Sequence, residues 1–187
     1  MPSGKTHDRI SLFFFIPFAS IVWTLSKDWG FIVLFSVSYL FSCFMFSGDL
    51  DLVSIQSKRW GFFKWIWIPY RKMLSHRSSL SHGMLLGTVF RLFYLGIFLV
   101  IFYSLVYIVT VKYSPSTNTE LLTKTEYTYK FLKAQNPMYF FTIFMGLLAG
   151  GALHTISDLI VSKVKRIINK RKRKKQKRKS KVLAKRR

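Results

Sequence analysis

The chain has 187 residues, a formal net charge of +23, 50% hydrophobic residues and 18% aromatic residues. A soluble domain this basic would not also be this apolar, and a disordered chain would lack long apolar runs. Sixteen of the 30 Lys and Arg lie between Lys163 and Arg187, with no acid among them. The single cysteine, Cys43, excludes a disulfide framework and a multi-cysteine zinc site. The composition therefore predicts an apolar domain, residues 1–162, and a basic tail, residues 163–187, disordered toward its end.

Four apolar segments approach the roughly 20 residues that a helix needs to cross a bilayer. They run from Ile10 to Ser26, from Trp29 to Gly48, from Gly83 to Val111 and from Met138 to about Val161. The third contains one charged residue, Arg91, close enough to one end for its side chain to extend to the interface. The sequence therefore predicts an all-α integral membrane bundle of four transmembrane helices.

Two stretches connect these segments. The stretch Asp49–His82 interleaves tryptophans and a tyrosine with Lys and Arg, which is typical of the lipid headgroup layer. It is predicted to be an interfacial segment rather than a fifth span. The polar stretch 112–136 contains Pro115 and both glutamates, and is predicted to be an external loop with modest structure.

Lys and Arg are distributed unequally between the two sides that four spans define. The N-terminus, the Asp49–His82 stretch and the tail together carry 24 of them, and the other side carries five. This bias predicts that both termini are cytoplasmic, in a plasma, inner or internal membrane. The tail is expected to contact anionic lipid headgroups, worth about 1 kcal/mol per basic residue near the surface. Binding of nucleic acid is less favoured, because the tail has no aromatic residues for base stacking.

Eight of the nine histidines and aspartates lie at the predicted cytoplasmic ends of the four spans. They are His7, Asp8, Asp49, Asp51, His76, His82, His154 and Asp158. Neighbouring helix axes in a bundle are about 8–10 Å apart, so these side chains are expected to converge. Imidazole and carboxylate are ligands of Zn²⁺, Mn²⁺ and Fe²⁺. The pattern predicts a site for one or two divalent ions, with zinc favoured.

The fourth span carries the strongest part of this pattern. His154 and Asp158 are four residues apart and share a helix face, where ionisable groups in a membrane helix are costly and usually functional. Gly146 and Gly150 continue the same stripe, which predicts close contact with another helix. The alternative for His154 is a hydrogen bond with a serine of another helix.

The other pairs also have simpler explanations. His7 and Asp8 could cap a helix. Asp49 and Asp51 could form a solvated turn, although an extended backbone would direct both carboxylates to one side. His76 and His82 could be ordinary interfacial residues.

Several segments resemble a family of uncharacterised membrane metal-binding proteins common in cyanobacteria: MPSGKTHDRI, FSGDLDL, KRWGFFKWIWIPY, HRSSLSHG and GALHTISD. The resemblance covers most of residues 1–165. The order of the His and Asp motifs is more distantly similar to membrane-bound metal-dependent hydrolases, zinc-dependent phospholipase C and P1 nucleases. The resemblance implies that six residues bind metal: His7, Asp49, His76, His82, His154 and Asp158. It implies that Asp8 and Asp51 either bind metal themselves or contact the residues that do.

A metal-dependent hydrolase acting on a phosphoester or lipid headgroup is the first functional hypothesis, because paired metals stabilise both oxygens of a phosphoester displacement. Asp51 or Asp8 would accept a proton, and Arg77 would bind the anion. Arg77 could equally anchor its loop to headgroups. The alternatives are a non-enzymatic metal-binding or metal-handling membrane protein, and a membrane tether whose tail binds acidic partners.

Overall fold

The computed structural model describes residues 4–74 and 78–185, and this part of the chain is helical without strands. The α-helices are α1 Gly4–Ser26, α2 Trp29–Met45, α3 Ile55–Arg59, α4 Trp67–Met73, α5 Ser79–His82, α6 Leu86–Tyr113, α7 Pro115–Ala134 and α8 Pro137–Lys185. Short 3₁₀ helices cover Gly48–Asp51 and Gly61–Ile66. The predicted all-α class is confirmed.

Four helical segments are long and apolar enough to cross a membrane. They are Thr6–Ser26, Trp29–Asp51, Leu86–Tyr113 and Pro137–Gln176. They correspond to the four predicted spans, and no residue of the most apolar window of α6 is buried in the protein. An unburied apolar helix of this length is expected to face lipid. The cytoplasmic location of the termini stays a prediction.

The close pair of helices α2 and α8 organises the bundle. A Cβ atom at Gly146 would lie 2.8 Å from the carbonyl oxygen of Phe35, so only glycine allows this approach. Ser42 Oγ donates a hydrogen bond to the carbonyl oxygen of Leu147 across the pair, at 2.6 Å. The predicted role of the glycine stripe is confirmed, and it brings the end of α2 beside the last apolar turns of α8.

Helix α1 is fixed against the same pair through a buried tyrosine. Tyr39 is 0% exposed and its hydroxyl donates to the carbonyl oxygen of Ser11, at 2.8 Å. The rings of Phe15 and Phe18 pack against Tyr39, with centroids 6.0 and 5.7 Å away. This contact sets the start of α1, with His7, at the level where α2 ends.

The predicted interfacial stretch is a chain of short helices with two different faces. Trp67 and Tyr70 are fully buried and pack in one core cluster with Phe46 at the end of α2. Phe62 and Phe63 lie on the outside, 80% and 57% exposed. The buried face packs against the 3₁₀ helix Gly48–Asp51 through Leu50. The exposed aromatic face fits the predicted position at a membrane surface.

The polar stretch 112–136 is not the loosely structured loop that its composition predicts. Most of it forms the 20-residue helix α7. Pro115 occupies its first turn, where proline suits a helix. Glu120 pairs with Lys124, and Glu126 with Lys130, each at i, i+4 spacing. Such pairs stabilise an exposed polar helix by a few tenths of a kcal/mol each, roughly 0.2–0.5.

The basic tail differs from the predicted disorder as well. Helix α8 has 49 residues and continues without interruption from its apolar part to Lys185. The sequence from Lys163 to Lys185 contains no glycine or proline to end it, and Lys and Arg have high helix propensity. The tail therefore extends the helix that carries His154 and Asp158.

Candidate metal centre

Four of the eight predicted residues form a compact donor group: Asp49, His82, His154 and Asp158. One donor atom of each lies within 4.8 Å of the other three. His154 Nε2 is 3.4 Å from Asp49 Oδ1, and His82 Nε2 is 3.8 Å from the same oxygen. Asp158 Oδ2 lies 3.9 Å from His82 Nε2 and 4.0 Å from His154 Nε2. The group joins the end of α2, the short helix α5 and helix α8.

The local backbone explains how two neighbouring aspartates reach the same histidine. Residues Gly48–Asp51 form a 3₁₀ helix, so the extended conformation considered for Asp49 and Asp51 is wrong. Asp49 faces Nε2 of His82, whereas Asp51 Oδ2 lies 3.5 Å from Nδ1 of that ring. The two carboxylates therefore approach opposite edges of one imidazole.

His7 lies directly beside the donor group. Its Nε2 atom is 3.2 Å from Asp158 Oδ1, and its ring centroid is 4.3 Å from that of His154. Both imidazoles are 3% exposed. Asp158 thus has His7 at one carboxylate oxygen and the donor group at the other.

Asp8, like His7 and Asp51, is not one of the four residues of the donor group. Asp8 forms a two-point ion pair with Arg59, at 3.1 and 2.5 Å. His76 and Arg77 lie outside the described residues, so the structure does not test them.

The donor group fits a divalent cation by its chemistry and by its unsatisfied atoms. Among the described residues, no hydrogen-bond partner is found for buried His154 Nε2, Asp49 Oδ1 and Asp158 Oδ2. Buried polar atoms without partners are costly, and an ion is one standard reason for them. Two ligands of a tetrahedral ion, each about 2.0–2.2 Å from it, lie roughly 3.3–3.6 Å apart. The closest donor contacts, at 3.4–4.0 Å, are near that range, and two carboxylates balance the charge of the ion.

Sequence comparison supports the same conclusion. The model of a family described as "Uncharacterized metal-binding protein (DUF2227)" matches residues 2–168. The chain belongs to this family. The match includes all eight predicted site residues and confirms the resemblance to a metal-binding family. It ends before most of the basic tail.

A relative from Aquifex aeolicus (strain VF5), named "Uncharacterized protein", is 33% identical over 137 residues, which is 71% of this chain and 92% of the relative. No solved structure matches the chain. The more distant resemblance to phospholipase C and P1 nucleases is therefore not shown by these comparisons.

His82 is held by the protein on the sides away from the donor group. Its Nδ1 atom is 3.0 Å from Ser81 Oγ, and its carbonyl oxygen accepts a hydrogen bond from Thr155 Oγ1, at 3.0 Å. Partners at Nδ1 orient a metal-binding imidazole so that Nε2 faces the ion. This contact also ties α5 to α8, one residue after His154.

The sequence-based prediction gave Arg91 the wrong orientation. It does not extend to the interface, because it is 1% exposed and lies under the segment that carries His82. Its guanidinium donates to the carbonyl oxygen of Ser81 at 2.8 Å and to Thr88 Oγ1 at 3.2 Å. Burial raises the pKa of the nearby Tyr70, opposed by the Arg91 charge. A lone charge within a long apolar run was the available sign of an inward-facing role.

We expect Arg91→Met to weaken metal binding about 10- to 100-fold, although Arg91 is not a ligand, because residues that orient ligands have effects of this size. Arg91→Lys keeps the charge but replaces the planar guanidinium, whose two nitrogens bind separate acceptors, with a single ammonium group, so its affinity should lie between those of Arg91→Met and the wild type. Titration with zinc in competition with a fluorescent chelator measures the difference. Wild-type affinity in folded Arg91→Met protein would show that the Ser81 contact does not position His82.

A cavity of about 390 Å³ lies beside the donor group. His82 and Asp158 form part of its wall, and the hydroxyl residues Ser78, Thr155 and Ser162 form another part. The donor group therefore has one side against packed helices and one side against open space, where a ligand can approach.

Proposed function

We propose that the protein is a membrane-embedded, metal-dependent hydrolase that acts on a phosphoester or a lipid headgroup at the cytoplasmic interface. The observation that supports this most is the cavity whose wall includes His82 and Asp158. A purely structural metal site is closed, whereas a catalytic one keeps a side open to substrate. Four candidate spans and the aromatic surface around Phe62 support a location where lipid headgroups are within reach.

In this proposal Asp49, His82, His154 and Asp158 hold a divalent cation, zinc by preference, with manganese or iron as alternatives. Such a cation supplies positive charge that polarises a phosphoryl oxygen and makes water more acidic. The two oxygens of Asp158 face different histidines, with His7 at Oδ1 and His82 at Oδ2. If a second ion binds, His7 and Asp158 are the residues that would hold it.

The carboxylates proposed to accept a proton have different surroundings. The side chain of Asp51 is 0% exposed and lies against His82 Nδ1, an arrangement that holds the proton on Nδ1 and leaves Nε2 for the ion. Asp8 is engaged with Arg59. The contact with His82 supports Asp51 as the residue that positions this histidine, and the ion pair with Arg59 makes Asp8 the weaker candidate for accepting a proton.

The test is hydrolysis by protein that has been stripped of metal and then reloaded. Wild type should release p-nitrophenol from p-nitrophenyl phosphate or its diester only after addition of zinc, manganese or iron. Asp49→Asn should lose about 100-fold or more of this activity, since it removes a donor to the ion. Asp28→Asn is the matched control, because Asp28 caps the opposite end of α2 through Gly30 N and asparagine caps equally well.

The comparison of Asp51→Asn with Asp8→Asn then separates the two carboxylates. If only one of these variants loses activity while keeping its full metal content, that residue is the proton acceptor. A wild-type protein that binds metal tightly and hydrolyses neither ester, nor a phospholipid, would refute the hydrolase. It would leave the non-enzymatic metal-binding function, which the description of the family also supports.

A further inference from the structure

The cavity beside the donor group leads toward a cationic face of α8. Ser162 lines this cavity and also a second one of about 700 Å³. The other lining residues of the second cavity include Arg166, Lys170 and Arg173. These residues therefore lie on the same side of α8 as the open side of the donor group.

Helix geometry accounts for this arrangement. Asp158, Ser162, Arg166 and Lys170 follow one another at intervals of four residues, so they form one slowly turning stripe. At 1.5 Å per residue, Arg166 lies roughly 12 Å along the axis from Asp158. Because α8 continues as one helix to Lys185, the basic residues stand in fixed order beyond the donor group.

The two cavities have complementary chemistry. No Lys or Arg is found among the described residues that line the first cavity, which presents hydroxyls, His82 and Asp158. The second cavity presents several cations. Arginine binds phosphate through two parallel hydrogen bonds, and a run of like charges steers oppositely charged ligands toward a neighbouring site.

We infer that the face of α8 formed by Ser162, Arg166, Lys170 and Arg173 is a binding site for the phosphate of a phosphomonoester, which it delivers to the cavity at the donor group. This inference rests on the proposed function and gives its substrate class as a doubly charged phosphate ester. The phosphate belongs either to a soluble compound or to a lipid headgroup such as that of phosphatidic acid.

The opposite side of α8 supplies a matched control. Arg171 and Lys175 lie in the same stretch, but at 3.6 residues per turn they are on the far side of the helix. The variants Arg166→Gln/Arg173→Gln and Arg171→Gln/Lys175→Gln therefore remove two charges each, from opposite faces of the helix. Both sets of residues are exposed, so neither variant is expected to disturb folding.

The experiment uses the full chain in detergent, at constant ionic strength, with and without bound metal. Equilibrium dialysis measures binding of glycerol 3-phosphate, and mixed micelles measure binding of phosphatidic acid against phosphatidylcholine. We expect Arg166→Gln/Arg173→Gln to weaken binding about tenfold or more, and Arg171→Gln/Lys175→Gln to change it less than about twofold. An effect with glycerol 3-phosphate alone identifies a soluble ligand, and an effect with phosphatidic acid alone identifies the headgroup.

Equal losses of phosphate binding in the two variants would overturn the inference, because only the total charge would then matter. No loss in either variant would also overturn it, because the proposed face would then not bind phosphate. Equal losses together with equal losses of RNA binding would instead indicate an unspecific polyanion surface. Metal content is measured in the same samples. A wild-type protein that binds no metal counts against the proposed function. Full metal content, with equal phosphate binding by the two variants, counts against this inference alone.

Discussion

Replacing His154 with alanine should lower the affinity of the protein for zinc by about 100-fold or more. Even the replacement of a residue that only contacts a metal ligand lowers the affinity about 10- to 100-fold. His154 Nε2 is buried, has no hydrogen-bond partner among the described residues, and lies 3.4 Å from Asp49 Oδ1. This position suits a metal ligand. Metal analysis of purified protein, followed by titration against a chelator of known affinity, measures the loss.

The control for His154→Ala is Ile156→Ala. Ile156 lies two residues away on α8, is 39% exposed and faces away from the donor group. Its replacement shortens an apolar side chain on the same helix and should leave the metal content unchanged. His154→Gln provides a second check, because it preserves side-chain volume and polarity. Wild-type metal affinity in folded His154→Ala protein would mean that the donor group is not the site.

The convergence of histidines and aspartates was predictable because it depends on helix ends. The i, i+4 spacing of His154 and Asp158 fixes both on one face of α8, whatever the rest of the chain does. Asp49 and His82 join them because one ends a span and the other precedes a span on the same side. Long apolar segments determine these positions, and their length and composition can be counted in the sequence.

The orientation of single side chains was not predictable in this way. Arg91 lies near the end of α6, and its position along the helix favours extension to the interface. Its direction around the helix depends on the segment carrying Ser81, whose carbonyl oxygen it binds. Asp8 likewise faces Arg59, 51 residues later in the sequence. Contacts between distant short segments leave no periodic pattern in either one.

The conformations of α7 and of the tail show a different limit. Both segments are polar, and polarity alone indicates exposure but not whether the backbone is helical. The decisive features are local: i, i+4 ion pairs in α7, and the absence of glycine and proline from Lys163 to Lys185. Helix propensity summed over these stretches would have favoured helices.

Gly150→Ala should destabilise the protein by about 1–3 kcal/mol, the usual cost of adding a methyl group to a closely packed contact. A Cβ atom at this position would lie 2.7 Å from Ser42 Cβ and 2.9 Å from the carbonyl oxygen of Tyr39. Backbone atoms cannot rotate away, so α8 must move from α2. Since Asp49 follows α2 and His154 lies on α8, the same movement should separate the metal donors and weaken zinc binding.

Gly96→Ala is the matched control for this prediction. Gly96 is also in the interior of a candidate membrane-spanning helix, α6, but a Cβ atom there would meet nothing within 4 Å. Alanine is favoured over glycine inside a helix by roughly 0.5–1 kcal/mol, so Gly96→Ala should be neutral or stabilising and should keep full zinc affinity. Unfolding in detergent, monitored by circular dichroism, compares the two variants. If Gly150→Ala were as stable as Gly96→Ala and bound zinc equally well, close packing of α2 on α8 would not be what holds the donor group together.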